Sequence, residues 1–145
     1  MTELVITRGY PASGKTTWAL ARARRDGWTK ASSRDGLRIG MFGKETCTDA
    51  EEKTITAVQL AAVRRRLDNG ENVIVDDTNL QYRTAQGWAN LTERYGIDFQ
   101  CIDIVISRRS ASAVTKSGRV QADVTYRLRS LIAWRSGIRS RTGSA

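Results

Sequence analysis

Histidine is missing altogether from this 145-residue chain, and cysteine occurs only twice, at Cys47 and Cys101, far apart in sequence. A zinc site built on Cys and His and a histidine general base are therefore excluded. Any general base has to be a carboxylate. The two isolated cysteines are expected to be buried or free thiols. No stretch approaches the roughly 20 apolar residues of a membrane-spanning helix, yet 40% of residues are hydrophobic, enough to bury a core. Met1-Thr2-Glu3 leads straight into an apolar run without a basic n-region or cleavage site, so no secretory signal is read and a cytoplasmic protein is expected. Repeats, low-complexity segments and interdomain linkers are also lacking, which predicts a single domain over 1–145.

Acids are scarce at one end. From Ser107 to Ala145 there are eight arginines and Lys116 against Asp123 alone, so this quarter holds +8 of the net +9. Such a footprint suits a polyanion such as nucleic acid. Arg64-Arg65-Arg66 differs, lying in a balanced helix where it reads as a solvated face.

The densest information lies in Gly9-Tyr10-Pro11-Ala12-Ser13-Gly14-Lys15-Thr16, which follows the run Leu4-Val5-Ile6-Thr7 and precedes a helix-forming segment. It fits G-x-x-x-x-G-K-S/T, the phosphate-binding loop. Glycines flanking four residues let backbone N–H groups curl around an anion. Lys15 reaches the β- and γ-phosphates and Thr16 holds Mg²⁺. Gly9, Ala12, Ser13, Gly14, Lys15, Thr16 and Thr17 are thus the expected contacts to a nucleoside triphosphate such as ATP, aided by the dipole of the following helix. The Lys15 side chain is expected to be exposed when the loop is empty.

Strands and helices alternate along the chain. Strands are predicted at Glu3 to Arg8, Trp28 to Ser32, Asn72 to Asp76 and Asp98 to Ser107. Helices are predicted at Lys15 to Arg25, Ala50 to Asp68 and Tyr82 to Tyr95, with a last one at about Ala122 to Ser136. In the long helix Ile55, Val58, Ala62 and Val63 keep helical spacing, and Asn69-Gly70 supplies the stop. This pattern implies a three-layer α/β domain: a central parallel sheet of about four strands, helices on both faces, a basic lid at about 108–121, a C-terminal helix and a frayed tail at 137–145. Ligands should sit at the carboxyl ends of the strands. Acids gather there: Asp35 as the candidate general base, and Asp76 or Asp77 as the metal-side or orienting acid.

These residues resemble a family. The loop with Thr17-Trp18-Ala19, then Ser33-Arg34-Asp35-Gly36-Leu37-Arg38, then Asp77-Thr78-Asn79-Leu80, look like the kinase domain of phage polynucleotide 5′-kinases, with the motifs in order over residues 1 to about 107. The resemblance implies a P-loop kinase in which Lys15 and Thr16 bind the ATP phosphates and Mg²⁺, Asp35 is the base, and Arg38 holds the phosphate beside the accepting nucleotide. Asp77 and Thr78 would line the acceptor pocket, with Asp77 beside Thr16 as a metal-side residue. Phosphoryl transfer from ATP to a nucleic-acid hydroxyl, a polynucleotide 5′-OH, follows as the implied activity. Two departures stand out: the family's lid proline is absent, leaving Arg109 and Arg119 as alternative lid arginines toward the donor phosphates, and no D-x-D-G-T phosphatase segment is found. Two other readings stay open. One is a P-loop kinase of another hydroxyl, on a modified DNA base, a nucleoside or a small metabolite. The other is a non-catalytic nucleotide-dependent module, against which Asp35 argues.

Overall fold

The computed structural model describes residues 2–106 and 124–129. The elements run β1 (Glu3–Arg8), α1 (Lys15–Asp26), β2 (Thr29–Lys30), α2 (Arg34–Phe42), α3 (Asp49–Asp68), β3 (Val73–Asp76), α4 (Tyr82–Tyr95), β4 (Asp98–Ile106) and β5 (Val124–Arg129). Their order in the sheet is β2-β3-β1-β4-β5. The first four strands are parallel, with Leu4 opposite both Val73 and Phe99. Both central strands are apolar without alternation because both faces are covered: Leu4, Val5 and Ile6 of β1 and Val73, Ile74 and Val75 of β3 are fully buried.

Strand alternation divides that burial between two layers. Leu4 and Ile6 pack with Val63 and Leu67 of α3 and with Ala85, Trp88 and Leu91 of α4. Val5, Ile74, Ile102 and Ile104 face the other way onto Ala19 of α1, with Trp18, Ala23 and Trp28 at the margin. Helices on both faces of a four-stranded parallel sheet are thus as read from the sequence. Among the described residues no helix is long and apolar enough to cross a membrane.

Local chemistry sets the helix limits. α1 starts at Gly14 and stops at Gly27, both left-handed, and α3 begins with a capping box in which Thr48 and Glu51 satisfy each other's backbone N–H. The buried stripe of α3 is Ile55, Gln59, Val63 and Leu67, one residue every fourth position. Val58 and Ala62, expected inside, face solvent. Arg64 and Arg65 are exposed, as a solvated face should be.

Three expectations need correction. The second strand is only Thr29–Lys30, because Ser33 then caps a helix instead of ending a strand: its side chain accepts from Gly36 N at 3.2 Å. That helix, α2, is unanticipated, and it carries Asp35 and Arg38. Finally, the C-terminal helix expected at 122–136 gives way over Val124–Arg129 to an antiparallel edge strand, with Ile104 opposite Tyr126 and Asp103 opposite Arg127. Val124-Thr125-Tyr126-Arg127-Leu128-Arg129 alternates apolar and polar residues and is rich in strand formers. The exposed hydrogen-bonding edge of β4 is what that pattern pairs with. The lid at 108–121, with Arg109 and Arg119, and the tail at 137–145 lie outside the described residues.

Candidate active site

The phosphate loop leaves the carboxyl end of β1 at the centre of the sheet. Gly9 is required there by space: a Cβ at this position would lie 2.6 Å from the Ile104 carbonyl oxygen and 2.9 Å from Ser13 Oγ. Its N–H donates to Thr78 O at 3.0 Å, tying the loop to the segment after β3. Ala12 (φ 60°) and Gly14 (φ 92°) then turn the chain into α1, whose first helical bond is Trp18 N to Gly14 O at 3.0 Å. The N–H groups of Lys15, Thr16 and Thr17 precede that bond and belong to the set that a helix leaves for an anion. Replacing Gly9 by alanine should cost about 1–3 kcal/mol of stability through overpacking against Ile104. A denaturant melt of the variant checks this.

Lys15 is buried, contrary to expectation, with 8% of its surface exposed. The stem lies back over the loop and Nζ donates to Tyr10 O at 2.6 Å and to Ser13 Oγ at 3.4 Å. Burial lowers its pKa from the ordinary lysine value, opposed by the charges of Asp76, Asp35 and Asp77. An ammonium held this way is partly desolvated and already aimed across the loop.

Beside it, Thr16 Oγ1 donates to Asp76 Oδ2 at 2.7 Å. Asp76 is 3% exposed and also receives Thr7 Oγ1 at 3.4 Å and Lys30 Nζ at 3.4 Å. A hydroxyl and a carboxylate at this spacing are hard oxygen donors of the kind Mg²⁺ takes alongside substrate phosphates. Among the described residues no group of three or more His, Cys, Asp or Glu could hold a metal by itself. The sequence reading paired Asp77 with Thr16, and here the structure differs. Asp77 accepts from Arg34 N at 2.8 Å and from Gln59 Nε2 at 2.6 Å. β3 ends at Asp76, and the next residue carries its carboxylate away from Thr16 to α2 and α3. Burial raises the Asp77 pKa, opposed by those two hydrogen bonds. Through the bond from Arg34 N, Asp77 fixes the start of α2.

Asp35 and Arg38 sit one turn apart on that helix and form an ion pair. The Asp35 side chain is 90% exposed, open to an incoming hydroxyl. Arg38 is anchored from behind by Glu52 of α3, through Nε to Oε1 at 2.6 Å and Nη2 to Oε2 at 3.2 Å. Arg34 shares Glu52 and donates to Thr56 Oγ1 at 2.9 Å. These hydrogen bonds, first from Arg38 and then from Arg34, push the Glu52 carboxyl down to about 2. Glu52 was not singled out in the sequence, where it reads as one of three acids favouring the N-terminus of α3. Because its folded pKa is depressed from 4.5 to about 2, its stabilisation is complete above pH 4.5 and lost as pH falls through about 2. Glu52→Gln should therefore be less stable than the parent at neutral pH, with the gap closing across that acid window in urea melts.

The Asp77-Thr78-Asn79 segment locks these parts together. Asn79, at a left-handed φ of 45°, is 4% exposed and donates through Nδ2 to Thr7 O at 2.8 Å and Asp77 O at 3.3 Å. Thr78 lends its carbonyl to Gly9 and keeps its surface exposed. The donor loop, the Thr16–Asp76 pair and the Asp35–Arg38 pair are thus joined through the ends of β1 and β3. Gln59 and Asn79 are buried polar groups that hold this junction; Gln59 carries no sequence signal, and Asn79 stands in the Asp77-Thr78-Asn79-Leu80 motif with no role given to it. Only Asn79's place directly after Asp77-Thr78 hinted at its use.

Residues 4–123 match a family model described as an AAA domain. A chain of the Pnkp1/Rnl/Hen1 RNA repair complex is similar at 33% identity and a TM-score of 0.64, over 70% of this chain and 32% of that one. The present chain therefore spans under half the length of that relative. An APS kinase from Mycobacterium tuberculosis is similar at 20% identity and a TM-score of 0.56, over 70% of this chain and 74% of that one. A candidate kinase from Chloroflexus aurantiacus is 20% identical with a TM-score of 0.58, over 83% and 79% respectively. The last two likenesses establish the fold and agree with the parallel sheet described above.

Proposed function

The chain belongs to the AAA-domain family, with a P-loop domain of the kinase type, and from that premise we propose that it transfers the γ-phosphoryl group of ATP to a nucleic-acid hydroxyl, the 5′-OH of a polynucleotide. The observation that carries this reading is the Asp35–Arg38 pair, exposed at the carboxylate and braced by Glu52, on a helix hydrogen-bonded to the segment that follows Asp76. A nucleotide switch has no use for such a pair. A kinase of phosphate-flanked hydroxyls does. The RNA repair complex among the similar structures supports the choice of nucleic acid.

Each residue then has a task. The loop N–H groups and Lys15 bind the β- and γ-phosphates, and Thr16 and Asp76 would hold Mg²⁺, which when bound neutralises charge on those phosphates. Asp35 accepts the proton of the attacking hydroxyl as its oxygen bonds to the γ-phosphorus and ADP leaves. Arg38 presents its guanidinium to the phosphate on the acceptor's next nucleotide. Thr78 lines the acceptor side. Either Arg109 or Arg119 would complete the donor site from the lid.

The test is incubation with γ-labelled ATP and a panel of acceptors: 5′-OH DNA and RNA oligonucleotides, duplex DNA with hydroxymethylated bases, and free nucleosides. Label on 5′-OH oligonucleotides is the expected result. Oligonucleotide affinity should also fall steeply with salt, with a log–log slope of about −0.7 per phosphate contact, and flatten when Arg127 and Arg129 are neutralised. Equal labelling of nucleosides without salt dependence would move the assignment to a small-molecule kinase.

A further inference from the structure

Lys30 has a position that the sequence motifs leave without a use. It is the last residue of β2 and pairs in register with Ile74 of β3, so it shares a face with Ile74 and, two residues on, Asp76. That is the face covered by α1. Its side chain is only 18% exposed, and Nζ lies 3.4 Å from Asp76 Oδ2, the oxygen to which Thr16 donates at 2.7 Å. Its other contact is Ala31 O at 3.5 Å. Both are long for an ammonium, whose bonds to carboxylates ordinarily close to about 2.7–2.9 Å, and three donors are available. Lys15, by contrast, makes a bond of 2.6 Å. Lys30 is thus a mostly buried cation with two long contacts, next to the hydroxyl–carboxylate pair of a phosphate loop.

We propose that Lys30 is a second phosphate-binding cation of the donor site, with the γ-phosphate of the nucleoside triphosphate as its ligand. This rests on the donor half of the reading above and not on the identity of the acceptor. In this structure the Asp76 carboxylate is the acid nearest the ammonium. Were Thr16 and Asp76 to hold a divalent ion, the Lys30 ammonium would give up that oxygen, and its flexible four-carbon stem would let it turn to the terminal phosphate. Lys15 and Lys30 would then approach the triphosphate from the loop and from the β2 edge.

ATP and ADP binding measured by calorimetry, in EDTA and again in Mg²⁺, distinguishes a γ-phosphate ligand from a plain ion pair. Lys30→Met should weaken ATP binding by about tenfold or more, the scale of one charged hydrogen bond, and change ADP binding little. Lys30→Arg should keep the preference for ATP. If thermal melts show Lys30→Met to be unfolded, Lys30→Gln gives the same comparison while still able to donate to Asp76. Equal losses for ATP and ADP, or no loss for either, would overturn the proposal and leave Lys30 as a partner for a buried carboxylate. If the parent protein binds neither nucleotide, the donor site itself is misread and Lys30 falls with it.

Discussion

Asp35→Asn is expected to lower the rate constant of phosphoryl transfer by about 10²–10⁴-fold, the usual worth of a positioned general base, with ATP affinity kept. The amide preserves shape and hydrogen-bonding capacity but cannot take the proton. The surroundings make this a clean experiment. Arg38 loses one ion-pair partner but remains fixed by two hydrogen bonds to Glu52, so the proposed clamp on the acceptor phosphate stays in place. The loss should thus appear in kcat and not in the Michaelis constant of the acceptor. Single-turnover kinetics with a 5′-OH oligonucleotide would measure it, and a variant with unaltered kcat would remove Asp35 from the chemistry.

Lys15→Ala is expected to abolish transfer, a loss of at least about 10²–10³-fold from one preorganised charge at the developing phosphate, and to weaken ATP binding as well. Because Lys15 is buried and donates to the Tyr10 carbonyl at 2.6 Å, the truncation also leaves that loop oxygen without its ammonium. Lys15→Met retains the stem and is the better control for packing. Both variants should fold, since Gly9, Asn79 and Thr78 secure the loop through separate bonds. Thr16→Ala should behave differently, raising the Mg²⁺ concentration needed for half-maximal rate while activity survives at saturation. Calorimetry with ATP and a magnesium titration of the rate separate the two. Normal turnover by both Lys15 variants would remove the whole donor-site assignment.

The two pairs on which these experiments act are linked by one strand end. Asp76 and Asp77 are neighbours, yet one carboxylate goes to Thr16 at the donor loop and the other to Arg34 N at the start of α2. The end of β3 thereby sets α2 against the phosphate loop. The sequence offered Asp76 or Asp77 as the metal-side acid, and in the structure it is Asp76 that meets Thr16. The alternation of β3, in which Asp76 shares a face with Ile74 and hence with α1, would have decided it.

Local signals sufficed wherever one segment's own chemistry dictates its form. The apolar run of β1, the glycines around Lys15 and the stop of α3 at Asn69-Gly70 are legible without the rest of the chain, because each concerns contacts within a few residues. So were the phosphate loop and the candidacy of Asp35, whereas Arg38 came from the resemblance. What lay beyond reach depends on partners distant in sequence. α2 contains Gly36 and Gly40 and buries no residue, so neither propensity nor an apolar stripe announced it; Ser33, Asp77 and Glu52 hold it in place. Residues 124–129 carry a pattern open to either reading until the edge of β4 supplies hydrogen-bond partners. Lys30 looked like an ordinary polar residue of a short strand, and only the pairing of β2 with β3 brings it to Asp76. Composition and motif thus determined what kind of chemistry the chain can do, whereas the tertiary structure decided which carboxylate, arginine and lysine meet, because long-range register alone sets those distances.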